Sequence, residues 1–223
     1  MGYIGKYNYT SAEFAALLNE SFSSKLPGQM AHLMLASEQR IRDITDPSRQ
    51  SNARRSGVLL LFYLQSDKPH LVFIKRPVYN GVHSGQISFP GGKWEEDDES
   101  LYHTALREAA EEIGILVDKV RFVGRLTELY IPPSNFIVSP FVGIYDGIPA
   151  FLINKSEVSE ILKIPLSDFL IDNDAFKPVE ILLPDGSTLI TPGFIFEGNI
   201  IWGATAMILN EFLIMWKTII NNR

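Results

Sequence analysis

Apolar positions follow two rhythms along this chain, and the change from one to the other divides it. Behind Thr10, whose partner Glu13 completes a capping-box pattern, Phe14, Leu17, Leu18 and Phe22 recur at helical spacing. That pattern predicts a short amphipathic helix with one face to bury. "SKLPGQMAHLMLASEQR" opens on a Pro-Gly turn signal and leaves its own structure open. "DITDPSRQSNARRS" is largely polar and reads as a connecting loop that ends at Arg54 and Arg55. From Gly57 the texture changes. "GVLLLFYL" and "HLVFIKRP", separated by "SDKP", predict two buried strands in a hairpin.

Further along, Ser100 or Asp98 can cap a helix over "LYHTALREAAEEIG", with Gly114 as its stop. "KVRFVGRL" and "FIVSPFVGIY" predict strands, "VSEILKIPLSDFL" a turn and a short helix, and "VEILLP-DG-STLI" a hairpin with an Asp-Gly turn. "IWGATAMILNEFLIMWKTII" closes the chain as a helix packed on a sheet. No internal repeat or low-complexity tract interrupts this order. Residues 1–55 therefore form an N-terminal extension of helix and loop, and 56–223 one domain of mixed α and β elements.

Composition narrows the class. With 223 residues, 46% of them hydrophobic, the chain can bury a sizeable core. A net charge of -6 argues against a nucleic-acid coat, while leaving room for an anionic small molecule. The absence of cysteine removes disulfides, thiolate metal sites and cysteine nucleophiles, and suits a reducing cytoplasm. "MGYIGKYNYT" lacks the features of a signal peptide. Asn210 and Glu211 interrupt the long apolar run near the C-terminus, so a packed helix is expected there and no membrane span.

The candidate chemistry lies in "REAAEEIGI". Glu108, Glu111 and Glu112 stand at i, i+3 and i+4, on one face of the predicted helix. Like charges at that spacing repel. A hard divalent cation such as Mg²⁺ or Mn²⁺ would offset the repulsion, since such ions prefer oxygen ligands. The plainer reading, a solvated acidic helix face, is weakened by "FPGG" upstream, which stands at a loop length that could bring its backbone N–H groups next to the helix.

"GGKWEEDDESLYHTALREAAEEIGI" resembles the Nudix box. Glu99, Arg107, Glu108, Glu111, Glu112, Gly114 and Ile115 match its pattern, with Gly92 one residue too far from Glu99 and Ala109 where a larger aliphatic is usual. The resemblance implies an α/β/α sandwich with a mixed central sheet, and hydrolysis of a diphosphate linked to another moiety. It implies Mg²⁺ or Mn²⁺ on Glu108, Glu111 and Glu112, with Glu108 also a candidate base. A further glutamate from outside the box often takes part, and Glu157 and Glu128 are the contenders. Arg107 either orients the glutamates or makes a plain surface bridge.

"LVFIKRPVYNGVHSGQISFPGG" resembles the signature of the coenzyme A pyrophosphatase branch, with Arg76, Gly85, Phe89, Pro90, Gly91 and Gly92 in agreement. "LPGQMAHLMLASEQR" resembles a leader found in some members. The branch's second arginine falls on Gly81 and its serine on Pro77. Arg76, Gly91, Gly92 and His83 are thus the expected substrate contacts, and Lys75, Arg54 or Arg55 could replace the missing charge. For Arg54 and Arg55 a solvated linker is the favoured reading. Tyr79, Trp94 and Phe136 could stack on a base, or simply pack. The expected substrate is coenzyme A or an acyl derivative, with ADP-ribose or a related nucleotide as the alternative and a non-catalytic ligand sensor behind both. A homodimer stays open.

Overall fold

The computed structural model describes residues 7–78, 84–170, 176–183 and 186–222. Three helices lead: α1 (Ser11–Ser21), α2 (Gln29–Leu33) and α3 (Glu38–Thr45). Strands β1 (Arg54–Gln65), β2 (Lys68–Lys75), β3 (Ile87–Ser88) and β4 (Gly91–Lys93) precede helix α4 (Leu101–Ile113). Then come β5 (Val120–Arg125), β6 (Leu129–Ile131), β7 (Phe136–Tyr145), β8 (Glu160–Pro165), β9 (Lys177–Leu182), β10 (Thr188–Phe196), β11 (Asn199–Trp202) and helix α5 (Gly203–Asn221).

The apolar run of β1 has no alternation because both faces of its sheet are covered. Leu59, Leu61 and Tyr63 point to α4 and pack with Ala105, Ala109 and Ile113. Leu60 and Phe62 point the other way, into a core shared with Phe14, Leu18, Phe212 and Trp216. The central sheet runs β3-β2-β1-β7-β5, with β4 on β1, β6 on β7 and β8 on β2. β1 and β7 pair in parallel and the other pairs antiparallel, so the sheet is mixed. The result is the expected α/β/α sandwich. A separate three-stranded sheet, β11-β10-β9, flanks it.

Several local expectations change. "VSEILKIPLSDFL" holds a strand, because β8 pairs along β2 from Glu160 to Pro165, and only Leu166–Phe169 form a 3-10 turn. Ile201 and Trp202 belong to β11, so the last helix begins at Gly203. The polar "DITDPSRQSNARRS" is mostly structured: it starts in α3, and Arg54 and Arg55 open β1 beside β7. Asp185 of the predicted Asp-Gly turn lies outside the described residues, although β9 and β10 pair antiparallel as expected.

The N-terminal extension is fastened to the last helix. Tyr9 and Phe14 meet Trp216 with ring centroids 6.0 and 5.4 Å apart. Helix α5 has the length and apolarity of a membrane span, but its apolar side chains make up the core. Its two polar interruptions are docking points. Asn210 Nδ2 donates to the Ala31 carbonyl at 2.8 Å. Glu211, fully buried, faces His32 Nε2 at 2.9 Å and accepts from Thr127 Oγ1 at 2.6 Å, Thr127 N at 3.1 Å and Gly28 N at 3.1 Å.

Burial raises the Glu211 carboxyl, but the bonds from His32 and Thr127 outweigh it and hold its pKa below the usual value. A lowered carboxylate pKa stabilises the fold above the unfolded value and loses that stability as pH falls through the folded one. Glu211→Ala should therefore lower the unfolding free energy by about 3–5 kcal/mol near neutral pH, as read from urea denaturation. Its deficit relative to the parent chain should shrink toward acid pH.

Candidate active site

Helix α4 starts where Ser100 accepts the His103 N–H at 3.2 Å, and it ends on Gly114 in the left-handed conformation. It lies very close to β1: a Cβ on Gly57 would come within 2.1 Å of the Leu101 carbonyl oxygen. This closeness explains the small residues on its inner face, including Ala109, which is fully buried. It also presses the helix's carboxylates against β4. A Cβ on Gly92 would sit 2.2 Å from the Glu108 carboxyl carbon, so a side chain there would push the Glu108 carboxylate out of its place.

The three box glutamates divide. Glu108 and Glu112 face the cleft, and Glu112 Oε2 accepts the Gly91 N–H at 2.9 Å. Glu111 turns aside to Arg107, 3.3 Å away, with half of its side chain exposed. The third member of the described acidic cluster is Glu157, whose carboxylate lies with those of Glu108 and Glu112 inside a 4.8 Å group. Glu157 is placed by a loop zipped onto the end of α4. Leu152 N donates to the Ile113 carbonyl and Asn154 N to that of Glu112, and Asn154 Nδ2 then donates to Glu157 Oε1 at 3.0 Å. Glu128, the other contender, lies apart, bound to Arg55 and Ser139 at 2.7 Å each.

Burial pushes the Glu112 carboxyl up to about 8, against the opposing pull of the Gly91 N–H and Arg76. Glu108 is raised too, chiefly by burial, with Arg107 resisting and Glu111 and Glu157 adding to it. Such a group of crowded, under-neutralised oxygens has the donor set and spacing that suit a hard divalent cation.

Arg107 is gripped from the loop before α4. Its Nε and Nη2 donate to the two carboxylate oxygens of Asp98 at 2.9 and 3.0 Å, Nη2 also reaches the Lys93 carbonyl, and Nη1 reaches Glu108 at 3.1 Å. Asp98 also accepts from Thr104 Oγ1 and Glu95 N. The Arg107 bonds hold its carboxyl far below the usual carboxylate range. Glu99, the residue matched to the box, is 83% exposed and, among the described residues, meets His103 at 3.4 Å. The sequence carried the signal for Asp98: counted from Gly92, it stands at the interval that the box assigns to its acidic residue.

A cleft of about 1570 Å³ opens from these carboxylates. Lys75, Arg76, Gly91 and Gly92 line it, as do Phe136 and Trp202. Phe136 carries the Arg54 guanidinium 4.0 Å over its ring, and Arg54 Nη2 donates to the Ser134 carbonyl at 2.9 Å. Arg54 and Arg55 thus hold partners of their own instead of lying in a solvated linker. Trp94 donates its indole N–H to the Asp98 carbonyl. Tyr79, Gly81 and His83 lie outside the described residues.

The NUDIX domain model matches residues 53–182 of the chain. The chain is 32% identical over 165 residues to an uncharacterized Nudix hydrolase NudL of Photorhabdus laumondii, covering 74% of this chain and 87% of that one. With the NudL of Yersinia pestis it shares 34% over 158 residues, covering 71% of this chain and 77% of that one. Among solved structures it resembles the NUDIX domain of Shewanella oneidensis NrtR complexed with ADP ribose. That likeness has a TM-score of 0.43 and 21% identity, over 60% of this chain and 87% of that one. The matched model spans more than half of the sequence and the relatives exceed 30% identity over most of both lengths: this chain belongs to the Nudix hydrolases.

Proposed function

We propose that this Nudix hydrolase cleaves the diphosphate of coenzyme A or its acyl derivatives, giving 4′-phosphopantetheine and adenosine 3′,5′-bisphosphate. The observation that carries the reading is the lining of the cleft. Besides the carboxylates it includes apolar residues of β9–β11 and the start of α5, among them Ile181, Leu189, Ile200 and Met207. A diphosphate joined to a long, weakly polar arm would fill both parts. The Arg76 and Phe89-Pro90-Gly91-Gly92 pattern supports the same branch.

Nudix hydrolases generally use a divalent metal, and here Mg²⁺ or Mn²⁺ would be held by Glu108, Glu112 and Glu157, with Glu111 one turn away. The ion would neutralise phosphate oxygens and supply Lewis-acid activation of water. The chain's own residues do the rest. Gly91 N–H fixes Glu112, and Arg107, braced by Asp98, fixes Glu108. Arg76 lines the cleft near Glu112 as a phosphate partner. In this reading Glu157, the most exposed carboxylate of the three, takes the proton of the attacking water on a carboxylate oxygen.

Three measurements check this. With Mg²⁺ and coenzyme A, mass spectrometry should show phosphopantetheine, with the rate lowered roughly 10³-fold by Glu112→Gln; ADP-ribose cleavage with coenzyme A untouched would overturn the substrate assignment. Asp98→Asn should lower kcat about 10- to 100-fold with little change in KM, while Glu99→Gln stays within about twofold. Because Glu112 is held protonated up to about pH 8, Mg²⁺ should displace a proton on binding at neutral pH. Its apparent affinity should then climb with pH and level off above about 8, as calorimetry in buffers of differing ionisation enthalpy would show.

A further inference from the structure

The cleft has a wall from the N-terminal extension: Leu35, Ser37, Arg40 and Asp43 line it opposite the Nudix elements. Arg40 is the unusual one. Its side chain is half-buried, yet its hydrogen bond is a long one, from Nη2 to the Tyr130 carbonyl at 3.4 Å. Among the described residues it makes no ion pair. Asp43, the carboxylate that acts on it, is held by Arg49 at 2.7 Å. Burial lowers the guanidinium only to about 10, so it is charged at neutral pH. A guanidinium offers five donors in a planar fork suited to phosphate, and burying one without an anion is unfavourable.

The other cations lining the cleft differ. Lys75 donates to Asn199 at 3.2 Å and faces Glu160 at 3.9 Å. Arg76 faces Glu112 at the carboxylate end, and Lys93, beside Gly92, is exposed to solvent where Arg40 is half-buried. Strand register gives the separation. β4, β1, β7 and β6 lie side by side, with Gly92 opposite Gly57, Gly57 opposite Ser139, and Tyr130 opposite Ile137. Three strand spacings across the sheet and a two-residue offset along β7 put Tyr130 about 16 Å from Gly92, a span that an extended nucleotide covers.

We propose that Arg40 binds a phosphate monoester carried by the substrate at a point remote from the diphosphate that is cleaved. This rests on the coenzyme A reading, in which that group is the 3′-phosphate. It supplies from the N-terminal extension the charge that Gly81 lacks in the sequence. Arg40 is then a specificity residue that touches substrate without taking part in bond breaking.

The test uses the full chain and calorimetry with adenosine 3′,5′-bisphosphate and with AMP. The parent should bind the bisphosphate more tightly than AMP. Arg40→Gln should weaken the bisphosphate about 10- to 100-fold and leave AMP within about threefold, which also shows that the variant is folded; Arg40→Lys should recover part of the loss. In kinetics, Arg40→Gln should raise KM for coenzyme A and spare 3′-dephospho-coenzyme A. Equal weakening of both nucleotides, no change in either, or a parent without preference for the bisphosphate overturns the proposal. If the parent cleaves neither coenzyme A form while Arg40→Gln still selectively loses the bisphosphate, the substrate reading fails and the Arg40 assignment stands.

Discussion

The site depends on one hydrogen bond, from Gly91 N–H to the buried carboxylate of Glu112. To form it, β4 must lie against α4, and Gly92, with no side chain, leaves the Glu108 carboxylate its place beside the strand. The same approach leaves the chain from Lys93 to Ser100 to loop under the helix, where Asp98 meets Arg107 and Thr104. Helix, strand and loop thus close on one another around Glu108 and Glu112. Packing the helix tightly on β1 at Gly57 makes the arrangement rigid, which holds the crowded carboxyl groups together.

Two buried glutamates show how environment sets the role of one residue type. Glu211 is met by His32, Thr127 and Gly28, and these partners keep it ionised although it is fully enclosed. Glu112 has the Gly91 N–H and the more distant Arg76, so burial prevails and its carboxyl rises to about 8. The first arrangement is complete within the chain and serves the fold. The second keeps the Gly91 N–H and the pull of Arg76 and opens on a cleft, a donor set that suits a hard divalent cation.

Local patterns were readable wherever the determinant was local. The Thr10–Glu13 box, the Ser100 and Gly114 caps and the β1–β2 hairpin follow from residues a few positions apart, and the structure has each of them. Glu157 was nameable only as a contender, since it meets α4 through loop hydrogen bonds spanning some forty positions in the chain. Glu111 matched the pattern, yet its neighbour Arg107 draws it aside. Counted back from the helix, the box pattern falls on Glu99, whereas counted from Gly92 it falls on Asp98, and it is Asp98 that Arg107 takes as its partner. Around β8, Val158, Ile161, Leu162, Leu166 and Phe169 recur at helical spacing, while pairing along β2 makes Glu160–Pro165 a strand.

The N-terminal extension joins these themes. Glu211 binds its Gly28 and His32, which fixes α2 on α5. A short connection then leads to α3, so Arg40 is placed at the cleft by an anchor on the far side of the sheet from α4. A flexible arm could bring the same charge to the cleft, but the entropy of ordering it would oppose each binding event. Anchoring the arm through a buried carboxylate settles that ordering during folding. The polar pair Asn210–Glu211, which interrupts an otherwise apolar helix, thereby connects the stability of the core to the form of the binding cleft.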